Sequence, residues 1–150
     1  MYLRYAKIRD VKDPQRANYG DAGMDFYIPN DFEPTVMKFG DKLLIQSGIK
    51  LEIPIGWAMV FFNKSGVATK RGLIVGAQVI DHGYTGEVGL HVVCAADSTT
   101  MLEPGQKLVQ GLMLQVGAFM PQMVDEAVLY TDVPALGSNR GSGGYGSTGG

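Results

Sequence analysis

The feature that most restricts the fold of this chain is the shortness of its apolar segments. No stretch keeps apolar residues at a 3.6-residue spacing over three turns, as a long amphipathic helix requires. Short apolar or alternating runs recur instead between Gly, Pro, Asn and Asp residues, a pattern typical of β-sandwiches and barrels. The predicted strands are residues 3–8, 24–28, 42–45, 49–53, 57–62, 73–75, 78–80, 88–93, 107–115 and 127–130.

The glycine content also favours a fold built from strands and turns over one built from helices. Glycine accounts for 21 of the 150 residues, and seven of these lie in residues 137–150. Because each Gly inside a helix costs about 1 kcal/mol relative to Ala, a helical bundle is disfavoured. We predict an all-β single domain over residues 1–136 with one short helix that begins near Ser65. A flexible glycine-rich C-terminal arm over residues 137–150 follows it.

Composition excludes several classes of protein. Hydrophobic residues make up 45% of the chain, which excludes wholesale disorder. The net charge of −2 argues against a nucleic-acid partner, and the longest apolar run, residues 57–62, is too short to span a membrane. A single cysteine, Cys94, excludes an internal disulfide, and with only His82 and His91 beside it a zinc site is not expected. Residues 1–10 lack the apolar stretch of a signal peptide, so we expect a soluble cytoplasmic protein, or one in the host cytoplasm if the source is viral.

Residues 79–88 contain the first candidate site. Two strand-like runs flank a turn that carries Asp81 and Tyr84, which predicts a β-hairpin. Asp81 could simply support the turn through side-chain hydrogen bonds. Alternatively, its carboxylate could orient and deprotonate a water, with Tyr84 as a flat wall for a sugar or base.

Residues 63–68 contain the second candidate, where an apolar strand leads into the predicted helix. Ser65 could be only the N-cap of that helix. The same geometry presents backbone N–H groups, the Ser65 hydroxyl and Lys64 to an anion, as a phosphate site would. Both interpretations stay open at this point.

The C-terminal arm is the third candidate. A Gly/Ser-rich terminus is usually a plain linker. This one carries Arg140, which can bind phosphate oxygens, and Tyr145, which can stack on a base, while Ser147 and Thr148 add hydroxyls. We interpret it as a lid that orders when a ligand binds.

Two smaller features complete the set. Asp25 follows a glycine turn, and Gln110 places an amide inside an apolar strand, where it needs partners.

Taken in order, the five segments resemble the five motifs of the homotrimeric dUTPase family, the dUTP pyrophosphatases. The matching segments are residues 22–25 (AGMD), 64–68 (KSGVA), 79–86 (VIDHGYTG), 105–110 (GQKLVQ) and 140–149 (RGSGGYGSTG).

The resemblance covers nearly the whole chain and implies a β jelly-roll whose three subunits share three active sites. It implies Mg²⁺-assisted hydrolysis of dUTP to dUMP and pyrophosphate, which limits uracil incorporation into DNA and supplies dUMP for dTTP synthesis. By this resemblance Asp81 matches the carboxylate that activates the attacking water, and Tyr84 the aromatic residue under the deoxyribose. Main-chain groups around Gln78 and Gly89 match those that read the uracil edge. Asp25 matches a carboxylate that reaches Mg²⁺ through water, the ion being held mainly by the substrate phosphates.

The other implied substrate contacts lie in the second, fourth and fifth motifs. Tyr145 matches a residue stacked on uracil. The positions that match phosphate-contacting residues or their glycine-rich surroundings are Lys64, Ser65, Gly66, Gln110, Arg140, Gly146, Ser147 and Thr148.

Three positions depart from the family pattern. Lys64 stands where most members have Arg, Gln106 where an acidic residue is common, and Tyr145 where Phe is usual. Two alternatives stay open. One is a dCTP deaminase-like enzyme, which is disfavoured because the position of its catalytic Glu falls here on His91. The other is a regulatory binding protein with the dUTPase fold.

Overall fold

The computed structural model of this chain describes residues 2–130. Within this range eleven strands, one α-helix and one 3₁₀ helix follow one another along the chain. Their bounds are β1 Arg4–Lys7, β2 Met24–Tyr27, β3 Thr35–Met37, β4 Lys42–Gln46, β5 Ile49–Glu52, β6 Trp57–Asn63, α1 Ser65–Arg71, β7 Leu73–Val75, β8 Val79–Ile80, β9 Gly89–Cys94, β10 Thr100–Leu102, β11 Lys107–Gln115 and the 3₁₀ helix Glu126–Val128.

The strands form two larger sheets and two strand pairs, and their pairings are antiparallel. One large sheet has the order β2-β11-β6-β8 and the other the order β4-β9-β7, while β1 pairs with β5 and β3 pairs with β10. This architecture confirms the predicted all-β jelly-roll. The predicted short helix is α1.

Alternating side chains build the core between the sheets. In β9 the residues Leu90, Val92 and Cys94 are buried and their neighbours only partly so, as the two-residue period of a strand requires. Across the four-stranded sheet, the rings of Phe26 and Phe61 meet edge to face with centroids 4.9 Å apart. Edge-to-face contact is a favoured arrangement of aromatic rings, and it joins β2 to β6 over the intervening β11.

Three features of the fold differ from the sequence predictions. The segment around Asp81 is not a hairpin, because β8 pairs with β6 while β9 pairs with β4 and β7 in the other large sheet. Residues 81–88 therefore cross from one sheet to the other. Residues 127–130 do not form a strand, since the Asp125 carboxylate accepts a hydrogen bond from the Ala127 N–H at 2.9 Å and starts the 3₁₀ helix. The short strands β3 and β10 were not predicted.

The chain divides into two compact units, Met1–Ala118 and Phe119–Gly150. The strands and α1 lie in the first unit, and the described part of the second holds the 3₁₀ helix. The predicted boundary after residue 136 lies outside the described residues and stays a prediction. Among residues 2–130, none of the helices is long and apolar enough to cross a membrane.

Candidate active site

A cavity of about 290 Å³ is lined by residues of both large sheets, at the edge strand β8. Four predicted site residues line it, namely Gln78, Asp81, Tyr84 and Gly89. Gln46 of β4, which pairs with Gly89, contributes a further polar group. The crossing from β8 to β9 thus brings a carboxylate, an aromatic ring and main-chain polar groups to one concave surface.

Asp81 directly follows β8 and its side chain is exposed. Its backbone carbonyl accepts the Tyr84 N–H at 3.2 Å, so the main chain closes the turn. Within residues 2–130 its carboxylate makes no hydrogen bond or ion pair. Among these residues the Asp81 side chain therefore does not support the turn, as one of the two interpretations had it, and its exposed carboxylate can accept a hydrogen bond from water.

Tyr84 is held in place from two sides. Its hydroxyl donates to the Glu87 carbonyl at 2.9 Å, and its ring covers Gly86 so closely that a Cβ there would overlap it. The Glu87 carboxylate in turn accepts from the Gly48 N–H at 2.7 Å and from Arg9 Nε at 2.9 Å. Gly48 and Arg9 lie outside residues 81–88, so they tie this segment, and the Tyr84 ring that packs within it, to the rest of the fold.

A second group of polar residues surrounds Asp25, which is only 5% exposed. One carboxylate oxygen, Oδ1, pairs with the Lys64 ammonium, and Oδ2 lies 2.9 Å from Lys107 Nζ. Gln110 sits opposite Asp25 in the β2–β11 register, and its Nε2 donates to the Asn63 carbonyl at 2.8 Å. The first, second and fourth candidate segments thus meet where β2, β11 and β6 run side by side.

The charges of this second group are set by the two lysines. Burial raises the pKa of the Asp25 carboxyl, but Lys64 and Lys107 outweigh it and the pKa lies below its ordinary value. The hydrogen bond to Asp25 raises the pKa of Lys107. Asp25 is therefore ionised at neutral pH. Since Lys64 and Lys107 carry two positive charges against one negative, the three side chains leave a net positive charge that suits an anion.

The two groups lie at opposite ends of β6. Ile80 pairs with Met59, so Asp81 lies beside the start of β6, whereas Lys64 follows its last residue, Asn63. The strand from Ala58 to Lys64 is about 20 Å long at about 3.3 Å per residue. Asp81 and Lys64 of one chain therefore lie about 20 Å apart along β6.

A model of the dUTPase family matches residues 9–149 of this chain. The chain belongs to the dUTPase family. The deoxyuridine 5'-triphosphate nucleotidohydrolase of Mycolicibacterium gilvum is 33% identical over 144 residues, which cover 94% of this chain and 90% of that protein. The enzyme of the same name from Clostridium tetani is 32% identical over 142 residues, covering 93% of this chain and 90% of its own length.

Solved dUTPase structures share the fold. A variant of the Staphylococcus bacteriophage 80alpha dUTPase with dUpNHpp superposes with a TM-score of 0.84 at 21% identity, over 99% of both chains. A variant of the dUTPase from phage phi11 of S. aureus, described with a structural Mg(II) ion, gives a TM-score of 0.73 at 21% identity, over 85% of this chain and 99% of that one.

For this dUTPase family member, the second motif differs from its predicted geometry. Lys64 occupies the N-cap of α1 without a side-chain capping bond, and Ser65 is the first helical residue. The interpretation of Ser65 as the cap is therefore wrong, and space is open above Gly66. The predicted contacts in the arm, Arg140, Tyr145, Gly146, Ser147 and Thr148, lie outside the described residues.

Gln106, one of the three departures, and His91, at the position of the deaminase Glu, both make structural contacts. Gln106 Oε1 accepts from Arg71 at 2.8 Å and its Nε2 donates to Glu103 at 2.7 Å, so the neutral amide joins a cation to an anion. His91 Nδ1 accepts the Ala77 N–H at 2.9 Å, which fixes the chain next to Gln78. The histidine at the position of the deaminase Glu thus holds the cavity wall.

Lys107 was not predicted as a site residue, although it pairs with the buried Asp25. Residues three apart on a regular strand point to opposite faces, so a two-residue period places Lys107 away from Gln110. The register of β11 against β2 shifts between Lys107 and Val109, which is a β-bulge and puts both side chains next to Asp25. The sequence carries no local signal for this bulge.

Proposed function

We propose that this protein hydrolyses dUTP to dUMP and pyrophosphate, with Asp81 activating the water that attacks the α-phosphate. The observation that carries the proposal is the cavity at β8. It joins the Asp81 carboxylate, which has no hydrogen-bond or ion-pair partner within residues 2–130, the anchored Tyr84 ring and the main chain at Gln78 and Gly89. Membership of the dUTPase family gives the enzyme class, a dUTP diphosphatase.

In this mechanism each cavity residue has a separate task. The Asp81 carboxylate accepts a proton as the water oxygen attacks phosphorus, and pyrophosphate leaves from the opposite side. Tyr84 supports the deoxyribose, and its fixed ring leaves no room for a 2′-hydroxyl. Main-chain groups at Gln78 and Gly89 bind the uracil edge and exclude a 5-methyl group.

Phosphate binding is proposed for the group around Asp25 and for the arm. Lys64, Ser65, Gly66 and Gln110 contact the phosphate chain. Arg140, Gly146, Ser147 and Thr148 close over its far end, with Tyr145 stacked on the uracil. The net positive charge of the Asp25 group supports this assignment.

We propose Mg²⁺ as the cofactor. Among residues 2–130 no group of three or more His, Cys, Asp or Glu side chains could hold a metal ion. Mg²⁺ binds phosphate oxygens and keeps several waters, so it fits a site where the substrate supplies most ligands and the ionised Asp25 contacts it through water. When bound, it neutralises charge on the phosphates.

The active site is proposed to need more than one copy of the chain. About 20 Å of β6 separates the ends occupied by Asp81 and Lys64, while the reacting phosphate and its neighbours span only a few ångströms. A homotrimer with three shared sites resolves this mismatch, because Asp81 of one copy can meet Lys64 of another.

The proposed role is to keep cytoplasmic dUTP low, which limits uracil in DNA, and to supply dUMP for dTTP synthesis. The direct test is pyrophosphate release from dUTP, dCTP, dTTP and UTP, with and without Mg²⁺. We expect release from dUTP alone, with Mg²⁺ required for full rate. Equal rates on UTP would contradict the role of Tyr84, and no release from dUTP would contradict the proposed function.

Asp81→Asn separates chemistry from binding. We expect pyrophosphate release to fall by about 1000-fold or more, within the usual range for a lost general base, while dUpNHpp still binds. Near-normal turnover would show that another group activates the water.

A further inference from the structure

Two lysines share one buried carboxylate in this protein. Asp25 is 5% exposed, its Oδ1 pairs with Lys64 and its Oδ2 lies 2.9 Å from Lys107 Nζ. A buried carboxylate with a single cation could not release that cation without becoming an unpaired charge, which is strongly unfavourable. With two cations, it can release one.

The two lysines differ in where they lie relative to the predicted phosphate-binding segment. Lys64 is 24% exposed and occupies the N-cap of α1 at the end of β6, in the predicted phosphate-binding segment. Lys107 is 45% exposed and is directed to Asp25 by the β-bulge in β11. Bulges re-aim side chains and are common next to active sites. This one places a second cation on Asp25 beside Gln110.

A lysine ammonium is a compact point charge on a flexible stem, without the fork of donors by which an arginine binds two oxygens side by side. Lys64 therefore loses much of its contact with Asp25 when its ammonium turns to bind a phosphate. Lys107 makes this exchange possible, because Asp25 keeps one counter-ion throughout.

We propose that Lys107 is a positioning residue, which compensates Asp25 so that Lys64 can leave the carboxylate and bind the substrate phosphates. This rests on the proposed function and adds a residue that acts through Asp25 without touching the substrate. The lowered pKa of Asp25 and the raised pKa of Lys107 agree with a strong pair.

The test measures the Kd of dUpNHpp, whose nitrogen bridge replaces the α–β oxygen of dUTP, together with kcat and KM for dUTP. In Lys107→Met we expect Kd and KM to rise at least tenfold while kcat changes less than threefold, since Asp81 is untouched. Lys107→Arg should keep Kd within threefold of wild type. Lys42→Met, which removes an exposed lysine at the start of β4, is the matched control and should change nothing.

The same substitution in an Asp25→Asn background shows whether Lys107 affects dUpNHpp binding through Asp25. Without a charge to compensate, Lys107→Met should change Kd less than twofold relative to Asp25→Asn alone. An equal loss in both backgrounds would show that Lys107 binds the phosphates directly, and an unchanged Kd in Lys107→Met would show that it has no part in binding. Either result overturns the proposal.

Thermal unfolding of each variant checks that it is folded, and Lys107→Gln makes the same comparison if Lys107→Met does not fold. A wild-type protein that binds no dUpNHpp and releases no pyrophosphate from dUTP would overturn the proposed function, and this inference with it. Wild-type binding with an unaffected Lys107→Met would overturn the inference alone.

Discussion

The ring of Tyr84 covers the backbone of Gly86, and a single Cβ at residue 86 would overlap the phenol. The Tyr84 hydroxyl donates to the Glu87 carbonyl at 2.9 Å, so the ring cannot move aside without losing this bond. Gly86 is thus required for the position of the residue that we assign to the sugar.

Gly86→Ala should therefore relax the choice between dUTP and UTP. We expect the kcat/KM ratio of UTP to dUTP to rise by about tenfold or more, the size of effect typical of one lost steric contact. Steady-state pyrophosphate release on both nucleotides measures it. Gly20→Ala is the control, because a Cβ at Gly20 meets nothing within 4 Å. An unchanged ratio in Gly86→Ala would contradict the role of the ring.

Asp25 predicts a specific dependence of stability on pH. Its pKa in the folded protein lies below that of an unfolded Asp, about 3.9. The stability it contributes is therefore fully present above the unfolded value and is lost as pH falls through the folded value. The difference in melting temperature between wild type and Asp25→Asn should be largest at neutral pH and shrink below about pH 4. A difference that stays constant from neutral to acidic pH would contradict the pairing with Lys64 and Lys107.

The arm is predicted to serve catalysis and not folding. In the part of the chain that the structure describes, the buried apolar side chains of the core belong to residues between Val11 and Val109. Deleting residues 140–150 should lower kcat/KM by about 100-fold or more through lost positioning, with a melting temperature within roughly 2 °C of wild type. Enzyme assays and thermal unfolding on the same preparation measure both. A large fall in melting temperature would make the arm structural.

Local alternation was enough to predict most of the strands, because a side chain period of two is visible within five residues. In β5 and β9 the alternation of the sequence reappears as alternating burial. β3 and β10 have three residues each and exist through pairing with each other, Thr35 opposite Leu102, which no local pattern reveals. The same limit explains the wrongly predicted hairpin, since the local sequence does not determine that β8 pairs with β6 and β9 with β4.

The site was predictable to a similar degree. Gln78, Asp81, Tyr84 and Gly89 line one cavity, as expected for one motif. Lys107 was missed because its position depends on a β-bulge, and the distance between the two polar groups depends on the register of β6 with β8. Pairing register is a tertiary property, so the separation of Asp81 from Lys64 could not be read from residue spacing.

Mixing two inactive variants tests the shared site most directly. Asp81→Asn and Lys64→Met, each expected to be inactive alone, are unfolded, mixed in equal amounts and refolded, with each variant refolded alone as the control. If Asp81 of one copy works with Lys64 of another, about a quarter of the sites receive both intact residues, and dUTP hydrolysis should return to about a quarter of the wild-type rate. A mixture as inactive as its components would show that each chain builds its own site, and would contradict the shared active site.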